Sequence, residues 1–123
     1  HDVEVTFTEL REDLEPHLVK EERVLFPMIR ELAAATAAPT FLCGSLANPI
    51  RMMLLEHDRA GELLATLRGT TGGFEPPTDA CASYQALYRG LAEVEADTHL
   101  HVHKENNVLF PAVLALEDAL STQ

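Results

Sequence analysis

Four residues in this chain are spaced to close around a cation. His17 and Glu21 stand four apart, and so do His101 and Glu105. Residues four apart on a helix share a face, with side chains close enough to ligate one ion. A single His-x-x-x-Glu is common on exposed helices and carries little weight. Here it occurs twice, in HLVKEERVLFPMI (17–29) and HVHKENNVLFPAV (101–113), which share His, Lys, Glu and Val-Leu-Phe-Pro without a gap. Each pair also falls on the apolar stripe of its segment. Burying two carboxylates in an apolar core is costly unless something neutralises them, and a bound cation does so economically. His57, in LEHDRAGELL, falls on the apolar face of a third segment. Alone it reads as a core histidine; beside two His/Glu pairs it completes a set of five.

The donors bound the metal. Imidazoles and carboxylates without a thiolate disfavour structural zinc, which prefers cysteine-rich tetrahedra. Three imidazoles disfavour calcium and magnesium. Iron, manganese and zinc in a mixed nitrogen–oxygen site remain. Two carboxylates from two helices is a two-metal arrangement, with each carboxylate bridging both ions; five residues are ample for one metal, and two require a further histidine or solvent ligands. His99 and His103 are also four apart, but they lie across the helix from His101 on a face carrying Lys104 and Asn106, so both are assigned to solvent. Asp13 and Asp97 each precede a histidine by one turn. Each reads either as a carboxylate holding that histidine's second N–H or as an ordinary surface charge.

The elements that must position these residues are helices. Phe7, Leu10, Leu14, His17, Glu21, Val24, Leu25 and Met28 recur at steps of three and four, predicting a helix over 4–35. Met53, Leu54, His57, Gly61, Leu64 and Leu67 predict a second over 50–68. Leu87, Leu91, Val94, Thr98, His101, Glu105, Val108 and Ala112 predict a third over 80–120. Gly61 would leave room for a close helix approach or a ligand cavity. Turn residues cluster at 36–49 and 69–79. Asn48, with Pro49 after it, is the expected cap of the second helix, and Thr78 or Asp79 of the third. Pro27 and Pro111 should bend their helices around the core. No alternating strand pattern competes. The expected architecture is all-α, an up-and-down four-helix bundle of which three helices are evident.

Composition excludes several classes. The 123 residues carry a net charge of −11, which disfavours nucleic acid as a partner. No apolar run is long enough for a membrane helix. Cys43 and Cys81 form no metal-binding or disulfide framework and fit a reducing cytoplasm. The chain starts with His rather than Met, so a fragment or processed chain is expected.

The order HxxxE, lone His, HxxxENNxLFP resembles the hemerythrin-like domain of the repair-of-iron-centres di-iron proteins, over nearly all of residues 1–123. The resemblance implies iron, as an oxo- or hydroxo-bridged di-iron centre. It implies that His17 and His101 are terminal ligands, Glu21 and Glu105 the bridging carboxylates, and His57 a terminal ligand on the other iron. It also implies a stress-defence role in repairing iron–sulfur clusters damaged by nitric oxide or oxidants. Partners would then be small gaseous or peroxide ligands and iron–sulfur proteins. A reversible oxygen or nitric oxide sensor without turnover fits the same ligands. The family bundle has an earlier helix with a fourth histidine, and members often carry a small N-terminal domain with paired cysteines. Neither is evident here. His1, if it continues the helix of His17, lies about 24 Å away and cannot share its site. A helix donated by a second copy of the chain, in a homodimer, is one way to complete the bundle.

Overall fold

The computed structural model describes residues 2–41 and 44–121; His1 and Cys43 lie outside them. Three helical rods run through it. The first joins α1 (Asp2–Lys20), a five-residue π turn (Glu21–Leu25) and α2 (Phe26–Ala34). The second is α3 (Ala47–Thr70). The third joins α4 (Ala82–Lys104), a second π turn (Glu105–Leu109) and α5 (Phe110–Ser121). There is no strand among the described residues. Among the described residues no helix is long and apolar enough to cross a membrane.

The π turns replace the bends expected at Pro27 and Pro111. In each, an N–H reaches back five residues instead of four, Phe26 to the Glu21 carbonyl and Phe110 to the Glu105 carbonyl. A proline ring clashes with the carbonyl four residues before it in an ordinary α-helix, and the widened turn just ahead of each proline absorbs that misfit without breaking the rod. The extra residue rotates everything after it by about 100°. The expected stripe therefore fails beyond Glu105: Val108 and Ala112 are exposed, while Phe110 and Val113 are buried. Leu54, Gly61 and Leu87 are exposed too, each at the edge of a stripe centred on its neighbours. A Cβ on Gly61 would meet nothing within 4 Å, so it permits neither a close approach nor a cavity.

Helix starts differ from expectation. α3 begins one residue before Asn48, and its first turn is served by the loop: Ser45 Oγ accepts from the Ala47 N–H at 3.0 Å. Glu117 of α5 takes the Leu46 N–H at 2.8 Å and the Ser45 hydroxyl at 2.5 Å. Cys81, a free exposed thiol, precedes α4 in the cap position, and no side chain caps that helix.

α1 packs along α3, and α2 packs against α5. The core divides into two apolar layers. One gathers Leu10, Leu64, Leu67 and Leu91, with Phe74 from the turn after α3. The other gathers Leu25, Ile50, Met53, Phe110 and Val113. On every rod the chain passes from one layer to the other across a short polar interval, and these intervals lie side by side.

Candidate metal centre

His17 and Glu21 occupy the interval on the first rod, His57 that on α3, and His101 and Glu105 that on the third. Glu21 and Glu105 are the first residues of the two π turns. One ligand atom from each of the five lies within 4.8 Å of all the others. His17 Nε2 is 2.6 Å from Glu21 Oε1, His57 Nε2 is 3.0 Å and His101 Nε2 3.1 Å from Glu105 Oε1. His101 Nε2 is also 3.3 Å from Glu21 Oε2, and His57 Nε2 is 3.9 Å from Glu21 Oε1. Ligands bound at about 2.0–2.2 Å to one ion stand about 3 Å apart when adjacent and about 4 Å when opposite. Four of the five separations, from 3.0 to 3.9 Å, fall in that range, and the His17–Glu21 distance of 2.6 Å is shorter.

The burial is severe. Glu21 is 1% exposed and Glu105 4%. Buried polar atoms are nearly always hydrogen-bonded, yet six here are not: His17 Nε2, His57 Nε2, His101 Nε2, Glu21 Oε1 and both oxygens of Glu105. Among the described residues these are the only such side-chain atoms, and every one belongs to the five. They approach one another closely but are not angled as donor and acceptor. They crowd one small space, one atom from each residue within 4.8 Å of the others, as ligands to a cation do. The donor set suits a di-iron site, because Glu105 offers two unpartnered oxygens and Glu21 has an oxygen near each of two histidines.

The electrostatics agree. Burial opposes charge on His57, but Glu105 and Glu21, together with Asn106, outweigh it and hold its pKa at about 9. Burial likewise opposes charge on His17, and Glu21 and Glu56 overcome it, raising its pKa. Glu105 is raised by burial, with Glu21 adding to the rise against His57. Burial would raise Glu21 too, but His17 and His57 overcome it and hold that carboxyl well below its usual range. Positive charge is what this pocket favours.

Some outer partners differ from expectation. His17 Nδ1–H donates to Glu56 at 2.6 Å, not to Asp13, which pairs with Arg59. His57 Nδ1–H donates to Asn106 at 2.8 Å. Asp97 is exposed and beside His101 in a small cleft. Glu56 was hidden by being next to His57 in sequence, on a different face of α3; Asn106 was hidden inside the repeated phrase. His99 and His103 are exposed and outside the cluster, with His103 Nδ1 bonded to Asn107. Phe110 stacks on the His57 ring, 6.1 Å between centroids and 8° from parallel. His101 borders a cavity of about 190 Å³ between α1 and α4, lined by Leu14, Leu18, Asp97 and Thr98.

Comparison with known proteins points the same way. Residues 1–113 match the hemerythrin HHE cation binding domain. The chain is 44% identical over 108 residues to the iron-sulfur cluster repair protein YtfE of Cronobacter sakazakii, covering 88% of this chain and 45% of that one. It is 43% identical over 110 residues to the proteins of the same name from Escherichia coli and Escherichia fergusonii, covering 89% of this chain and 46% of each. The chain thus spans about half the length of these curated relatives.

Proposed function

The chain belongs to the hemerythrin HHE cation binding family, and from that premise we propose that it is the iron-holding part of a cytoplasmic stress-defence protein that restores iron–sulfur clusters damaged by nitric oxide or oxidants. The observation that carries the reading is the convergence of six unpartnered buried atoms on one space. In this reading Glu21 and Glu105 would hold the iron through carboxylate oxygens, and His17, His57 and His101 through imidazole nitrogens. The bound iron would supply electron transfer and coordination of nitric oxide, oxygen or peroxide, or would itself be the iron delivered.

The protein side of the mechanism lies in three features. The two carboxylates give the bound cations a counter-charge inside an apolar core, where it counts for more than in water. The Nδ1–H bonds to Glu56 and Asn106 leave the Nε2 lone pairs of His17 and His57 free to ligate. The cleft beside His101, with its apolar wall of Leu14 and Leu18, admits a diatomic ligand or peroxide from the side where the cluster is least covered.

Iron loading under anaerobic conditions tests the reading. About two irons per chain with near-ultraviolet charge-transfer absorption are expected; less than one iron sinks it. Loaded protein is then given nitric oxide or peroxide with a reductant, and separately a damaged iron–sulfur protein. Sustained consumption marks a catalyst, and iron appearing in the repaired cluster marks a donor. Reversible binding with neither marks a sensor and overturns the repair role.

A further inference from the structure

Outside the five-residue cluster, one ion pair stands directly behind its most covered histidine. Glu56 Oε1 accepts the His17 Nδ1–H at 2.6 Å, and Lys20 Nζ holds the other oxygen, Oε2, of the same carboxylate. Glu56 is on α3 and half-buried, whereas Lys20 ends α1 and is 47% exposed. We propose that Glu56 is a positioning residue for the metal centre: it fixes His17 as an Nε2 ligand and makes it the strongest donor of the three histidines, with Lys20 clamping the carboxylate in place. This rests on the reading that the cluster holds iron.

The reasons are geometric. An imidazole whose Nδ1 carries the proton presents a bare Nε2, and an anionic acceptor behind that proton increases the ring's basicity. The three histidines are graded in this respect. His17 has a carboxylate behind it, His57 the uncharged amide of Asn106, and His101 no such acceptor among the described residues. Burial follows a related order, with the His101 side chain at 34% exposure and those of His17 and His57 at 2% and 3%. An ordinary rim Lys–Glu pair contributes little. This one differs because the carboxylate reaches past the rim to a buried ring. The arrangement gives the centre a firmly held side at His17 and a looser side at His101.

Two measurements on the chain test this. In metal-free protein, long-range nitrogen–proton NMR of the histidine rings should show a protected Nδ1 proton on His17 that is lost in Glu56→Ala. In ferrous-loaded protein, transfer of iron to a strong chelator should run roughly 10–100-fold faster in Glu56→Ala and show a smaller increase in Glu56→Gln, which keeps an acceptor but not the charge. The midpoint potential should move positive in both, since the lost negative charge stabilises the ferric form. Lys20→Met should show the same changes more weakly. Wild-type release rates and potentials in both Glu56 variants overturn the proposal. If wild-type protein holds no iron, the metal reading fails, and the Nδ1 proton alone decides the role of Glu56: its absence from wild-type protein overturns that role, and its loss in Glu56→Ala supports it.

Discussion

His17 and His101 hold the same place in a phrase written twice, yet the side chain of one is 2% exposed and that of the other 34%. The copies agree in what they send inward. Each supplies one imidazole, then one carboxylate at the start of a π turn, then a proline just beyond that turn. They differ in what lies against them. The first copy packs along α3, which brings Glu56 behind His17 and Arg59 onto Asp13 and Glu9. The second meets α3 more sparsely, so among the described residues no such arginine reaches Asp97, the counterpart of Asp13, and His101 opens onto a cleft. Equivalent positions past the carboxylates diverge as well. Glu22 is exposed, while its counterpart Asn106 is half-buried against His57. A repeated local pattern repeats the inward face; the neighbouring helix decides how fully each side chain on it is covered.

The largest test of that equivalence is removal of a carboxylate. Glu21→Ala and Glu105→Ala should each drop bound iron below one per chain by metal analysis, whereas His99→Ala and His103→Ala should keep it. Iron loss in the last two would break the facial assignment. Next comes Phe110 against its counterpart Phe26, buried in one copy and half-buried in the other. Denaturant unfolding of Phe110→Ala should show a loss of about 3–5 kcal/mol, the range for a fully buried aromatic, and Phe26→Ala clearly less. Equal losses would mean that the two rods are packed alike. The smallest effect concerns the link between the second copy's rod and α3. Arg68 binds Glu95 through two hydrogen bonds, at 2.7 and 3.0 Å, and holds its carboxyl below the ordinary range against the opposing effect of burial. A folded-state pKa below the unfolded one gives stability present above about 4.5 and lost as pH falls through the folded value. The share is about 1 kcal/mol or less, since the arginine is mostly exposed. Glu95→Gln should flatten the acid limb of the stability profile by that amount; an unchanged limb would show that the pair contributes nothing.

Much of this was legible beforehand because helical periodicity is a local property. The stripes through Leu10, Leu14, His17 and Glu21, and through Leu91, Val94, Thr98 and His101, turn inward as their spacing predicts. His57 joined the set because it shares a stripe with Met53, Leu64 and Leu67. The stripe went astray at Val108 and Ala112, where the π turn adds a residue that a constant 3.6-residue period cannot anticipate. Pro111 is the available signal, but a proline in helical sequence implies a bend and does not by itself announce a change of register. Glu56 and Asn106 escaped for another reason. Each adjoins a residue of the cluster in sequence but bonds to a histidine on another rod, and no spacing within one helix encodes such a pairing.

The order of residues is enough to predict the helices, the five clustered side chains and the faces they occupy, because those follow from side-chain chemistry repeated at a helical interval. Only the tertiary structure decided that the five converge within 4.8 Å between two apolar layers. It also decided which histidine is clamped and which is open. Those outcomes depend on which helix lies against which, and that is a long-range packing choice that no local interval specifies.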